Sequence, residues 1–155
     1  MSFNSKFIRF NIQKMDIQTQ INEYISAQPE EKRNDMQTLH QRVLELNPTC
    51  KLWFLDGKNS ENKVVSNPNI GYGTQTIRYA DGKSKEFYRV GLSANTTGIS
   101  VYILGIEDKN YLSNTYKENL GKASITSYCI KFKKLKDINL EVLETAIQFG
   151  FSLAD

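Results

Sequence analysis

A chain of 155 residues with 39% hydrophobic, 11% aromatic and 24% charged side chains can bury one sizeable core and is neither disordered nor membrane-like in composition. Its formal charge of +3 runs against an acidic metal-gathering surface, and its two cysteines, Cys50 and Cys129, have neither the spacing of a zinc ribbon nor the number for a disulfide framework. No apolar run approaches the about 20 residues of a membrane-crossing helix and no apolar signal core opens the chain, so the expected compartment is the cytoplasm.

Residues 1–15 form an apolar arm carrying Phe3, Phe7, Ile8, Phe10 and Ile12, set apart from a single domain over 16–155. The arm is too apolar for a free tail and too short to fold alone, which makes it a candidate for docking on its own domain or for joining a homodimer. Asp16 stands where it can cap a helix whose apolar stripe is Ile17, Ile21, Tyr24 and Ile25. Pro29 suits the first turn of a second helix, where Glu30 and Glu31 meet the positive end of its dipole. Met36, Leu39, Val43 and Leu46 continue that stripe as far as Asn47-Pro48.

Strand grammar follows. Lys51 to Leu55 is a short apolar run ended by Asp56-Gly57, and residues 56–69 have the Asn, Ser, Lys and Gly content of a long surface loop. Thr74 to Tyr79 and Glu86 to Ala94 flank an Asp81-Gly82 turn, and Ile99 to Leu104 follows the turn at Asn95 to Gly98. Three such strands imply an antiparallel meander. Tyr111, Leu112, Tyr116 and Leu120 predict a helix ending at Gly121, Ala123 to Phe132 a strand, and Asn139 the cap of a last helix with the stripe Leu140, Leu143, Ile147 and Phe151. The order predicts an α+β domain: a central antiparallel sheet of about four to five strands with helices packed on one face.

Three segments carry a family pattern: Ile21-Asn22-Glu23-Tyr24-Ile25 with Pro29-Glu30-Glu31, Gly98-Ile99-Ser100-Val101-Tyr102-Ile103, and Gly121-Lys122-Ala123-Ser124-Ile125. Together they resemble the YdhG-like family, a bacterial α+β domain of unknown function, some of whose members are classed as frataxin-like iron carriers. The likeness covers residues 17–152 and departs after Trp53, where the family usually has a short Met-Pro strand and this chain has Phe54-Leu55-Asp56-Gly57-Lys58 and its polar loop. The resemblance implies a non-catalytic binding or interaction domain, with an iron carrier serving iron-sulfur assembly as the alternative.

Iron carriage needs a ridge of carboxylates, since hard ions prefer oxygen ligands. Only Glu23, Glu30, Glu31 and Asp35 could supply one, and Lys32 and Arg33 interrupt them. His40, the single histidine, flanks the helix stripe without an acidic neighbour, and Cys129, between Tyr128 and Ile130, reads as a packed thiol. Gly71-Tyr72-Gly73 lacks the third glycine of a dinucleotide fingerprint. No cofactor is expected. Between Lys117 and Lys136 six lysines stand against one carboxylate, Glu118; on an edge strand they would discourage aggregation, and nucleic acid is not among the expected partners.

The strand aromatics Trp53, Tyr72, Tyr79, Tyr88 and Tyr102 either pack against the helices or line a cleft for a small-molecule or protein ligand. The candidate ligand-binding set is Trp53, Asp56, Tyr72, Asn95 and Lys122, beside the polar loop. A weaker alternative is an enzyme on a small anionic substrate, with Lys122 as the electrostatic contact.

Overall fold

The computed structural model describes residues 15–153, so the arm residues Phe3, Phe7, Ile8, Phe10 and Ile12, and the self-association expected of them, lie outside the described residues. Asp16 caps α1 (Ile17–Ser26) by accepting the Thr19 N–H at 2.7 Å, and Ile21 and Ile25 turn inward. Pro29 opens α2 (Glu30–Leu46), which buries Met36, Leu39 and Val43 together with His40. The histidine thus lies inside the stripe rather than beside it.

Eight strands and two further helices follow: β1 (Leu52–Leu55), β2 (Asn69–Tyr72), β3 (Gln75–Arg78), β4 (Ser84–Phe87), β5 (Val90–Asn95), β6 (Gly98–Ile103), α3 (Tyr111–Leu120), β7 (Ser124–Ile125), β8 (Cys129–Phe132) and α4 (Leu140–Ser152). Six of the strands form one antiparallel sheet in the order β1-β2-β5-β6-β8-β7, while β3 and β4 pair only with each other. The protein is therefore α+β, with a wider sheet than composition and turn spacing suggest. Two differences account for the width. The end of the loop and the residues just after it, to which the sequence reading gave no element, supply β2, and the run from Ala123 to Phe132 doubles back as the β7–β8 hairpin. The run Glu86 to Ala94 also breaks at Tyr88-Arg89, so β4 leaves the main sheet and β5 enters it.

Strand alternation divides the sheet into two faces. Ile70, Tyr72, Val90, Leu92, Ile99, Val101, Ile103, Ile130 and Phe132 point to the helices and join Ile21, Met36, Leu39, Leu112, Leu120, Leu143 and Ile147 in one core. Burial of each large side chain contributes about 1.5–3 kcal/mol. Asn139 caps α4 through the Val142 N–H at 3.3 Å, and Gly121 closes α3 at φ +105°, a conformation open to glycine. No helix among the described residues is long and apolar enough to cross a membrane.

Candidate functional site

The opposite face of the sheet has no helix of the described residues over it, and strand register arranges it in rows. Trp53, Gly71, Gly91, Tyr102 and Cys129 are successive cross-strand partners over β1, β2, β5, β6 and β8. Two glycines at the centre leave a trough, and the Tyr88 ring fills it: a Cβ on Gly71 or Gly91 would stand 2.6 or 2.7 Å from Tyr88 atoms. Phe87 packs on Tyr88 with ring centroids 4.3 Å apart and reaches Trp53 edge-on at 6.1 Å. At the far end Tyr102 and Tyr128 stack at 6.3 Å with 22° between their planes. The result is a band of aromatic rings across the sheet, which ends in the exposed Tyr128.

Its surroundings are cationic and polar. Lys51 Nζ lies 4.2 Å from the Trp53 ring centre and Lys85 Nζ 5.4 Å from that of Phe87, both cation–π contacts. The Trp53 indole N–H donates to the Gly73 carbonyl at 2.8 Å, which sets the tilt of the ring. The neighbouring row runs Ser93, Ser100, Lys131 and Ser124. Asn69, opposite Leu55 at its other end, has a buried Oδ1 with no hydrogen-bond partner among the described residues.

Burial, reinforced by Tyr102, Cys129 and Tyr128, pushes the Tyr88 hydroxyl up to about 12. Burial also raises the hydroxyl of Tyr102 and the thiol of Cys129 above their ordinary values. These groups stay protonated near neutrality, so the face offers stacking planes and hydrogen-bond donors rather than a thiolate or phenolate nucleophile.

The five candidate ligand residues do not converge. Trp53 lies on this face, but Tyr72 points the other way, fully buried against His40, because Trp53 pairs with Gly71 and side chains change face at each strand residue. Asp56 accepts the Lys58 N–H at 2.9 Å and lines a separate pocket of 380 Å³ with Gln20 and Phe54. Asn95 organises the β5–β6 turn, accepting from the Thr97 N–H and hydroxyl at 3.0 and 2.8 Å and donating to Ser100 Oγ at 3.1 Å. Lys122 lines a groove of 570 Å³ beside Ser124, Lys131 and Lys133.

The acidic set is divided: Glu31 and Asp35 line a common pocket with Lys133 and Lys134, and Glu23 and Glu30 are not part of it. Asp35 accepts the Leu135 N–H at 3.1 Å, Glu31 pairs with Lys134 at 3.3 Å, Glu30 stands in the first turn of α2 and Glu23 is on α1. No group of three or more His, Cys, Asp or Glu among the described residues could hold a metal ion. Lys131 is not on an edge strand, since β8 has β6 on one side and β7 on the other; edge protection does not explain it.

Neither Phe87 nor Tyr128 stands among the sequence candidates for the site. The adjacent pair Phe87-Tyr88 breaks strand alternation, which was the available local signal; nothing local marks Gly71 and Gly91 as neighbours. A second cavity, of 660 Å³, opens between α3 and α4 over Tyr111, Tyr116 and Phe149, with Glu141 and Glu144 in its lining. Glu144 is 3.5 Å from Arg42, near enough for an ion pair, yet its Oε1 makes no hydrogen bond. Compared with known proteins, the chain matches no family model, no curated protein and no solved structure.

Proposed function

We propose that the protein is a non-catalytic binding module of the YdhG-like type, working in the bacterial cytoplasm, whose ligand stacks on the helix-free face of the sheet. The observation that carries this reading is the pair Tyr102 and Tyr128, stacked at 6.3 Å at the end of an aromatic band, with Tyr128 53% exposed. Sheet aromatics that serve only the core face the helices, as Tyr72 does; these do not. Aromatic planes beside lysines and hydroxyls suit a flat ligand bearing acceptors or negative charge. The family resemblance supports a binding role without specifying the ligand.

Two-dimensional amide NMR with a set of flat heteroaromatic carboxylates and phosphates tests the reading. Shifts are expected at the Trp53 indole N–H and at the amides of Tyr102, Cys129 and Lys131. Shifts confined to the α3–α4 cavity, or none on the sheet face, would overturn it.

A further inference from the structure

We infer that this face binds a single-stranded nucleic acid, its bases stacking on Tyr128 and Tyr102 and its phosphates lying along Lys131, Lys133 and Lys122. The inference rests on the reading of the helix-free face as the binding surface and adds the class of ligand. Its basis is a juxtaposition made by β8 and its neighbours. Tyr128 leads into that strand, Cys129 pairs with Tyr102, and Lys131 pairs with Ser100 on one side and Ser124 on the other. Two residues of strand span about 7 Å, so the stacked rings and the first lysine are near neighbours on one face.

Lys131 then opens onto the groove of 570 Å³ shared with Lys122, Lys133, Ser124 and Thr97, whose lining contains three lysines, two hydroxyls and no carboxylate. None of the three lysines is in an ion pair among the described residues, whereas Lys134 next to them is neutralised by Glu31. Unpaired cations converging on a groove attract a polyanion, and stacked rings beside them need an exposed flat face. An acidic peptide satisfies the lysines but leaves the rings unused; a duplex satisfies the lysines but keeps its base faces stacked internally. A single strand uses both. At the other end of the band Lys51 also lies over a ring, that of Trp53, but Glu86 pairs with it at 3.9 Å, so the path for the phosphates is the groove of Lys131, Lys133 and Lys122.

Fluorescence anisotropy of the full chain with labelled oligouridylate and oligothymidylate of about 12 nucleotides tests this, since sites on such surfaces span about 4–16 nucleotides. Saturable binding is expected, and Tyr128→Ala should weaken it about tenfold, the effect of removing one base-stacking ring. Lys131→Ala/Lys133→Ala should weaken it too and lower the slope of log affinity against log salt by about 1.4, two phosphate contacts' worth. Tyr128, Lys131 and Lys133 are exposed, and unchanged thermal midpoints would confirm that the variants fold. A preference for oligouridylate over oligodeoxyuridylate of the same length, which differs from it only in the sugar, would mark RNA through its 2′-hydroxyl, and equal binding of the two a strand of either sugar. No binding at low salt would overturn the inference, as would binding that Tyr128→Ala leaves unchanged or that polyglutamate or phosphatidylglycerol vesicles displace as readily as oligonucleotide. Failure here with heteroaromatic fragments still mapping to the face would leave the binding-module reading standing; loss of both would remove the face as a site.

Discussion

His40 Nδ1 and the Tyr72 hydroxyl share a buried hydrogen bond of 2.6 Å that ties α2 to β2 through the core. The other imidazole nitrogen, Nε2, is buried without a hydrogen-bond partner among the described residues, so a proton on His40 would put an ill-solvated charge there. Burial accordingly holds its pKa below the usual 6.5. The unfolded chain takes up this proton first as the pH falls. Stability from His40 is thus fully present above about pH 6.5 and declines as the pH drops toward the lower folded-state pKa. Denaturation midpoints measured from about pH 7.5 to about pH 5 should fall, and His40→Gln should flatten that part of the curve. An unaltered slope would clear His40 as the cause. Tyr72→Phe, which leaves Nδ1 unpaired, should cost about 1–3 kcal/mol at neutral pH.

The trough under Tyr88 makes a second expectation. A methyl group on Gly91 would meet the Tyr88 ring at 2.7 Å, too close without displacement of ring or strand. Gly91→Ala should therefore destabilise by about 1–3 kcal/mol. Tyr88→Ala removes the clash along with the ring, so the double variant should be more stable than the sum of the single losses implies. Strict additivity in chemical denaturation would show that the ring is not what makes glycine necessary.

Asp35 gives a test that separates structure from metal. Its carboxylate holds the Leu135 N–H from 100 residues away in sequence, at a partly buried site. Asp35→Ala should cost about 1–2 kcal/mol, and Asp35→Asn, which retains an acceptor, distinctly less. Calorimetry with ferrous iron should give no stoichiometric binding at micromolar protein. A saturable site abolished by Glu30→Lys/Glu31→Lys would restore the iron-carrier alternative.

The apolar arm carries the last expectation. Phe3, Phe7, Ile8, Phe10 and Ile12 precede α1 in the sequence. A chain starting at Met15 should keep its circular dichroism. Light scattering is expected to find a dimer for the full chain and a monomer after truncation; a monomer in both cases rejects exchange of the arm.

Where an element depends on near neighbours in sequence, the sequence by itself determined it. Asp16 and Asn139 cap the helices they precede, Gly121 closes α3, and the 3.6-residue stripes select Ile21, Ile25, Met36, Leu39, Leu143 and Ile147 for burial. The α+β class follows from the order of such elements. The binding face does not, because its row joins positions 53, 71, 91, 102 and 129 through hydrogen-bonded pairings between distant segments. A slip of one residue in any of those pairings would turn that strand's side chains to the other face. Trp53 and Tyr72 looked equally suited to a ligand as aromatic strand residues. Only the β1–β2 register, which sets Trp53 against Gly71 and Leu52 against Tyr72, sends the first to the helix-free face and the second into the core.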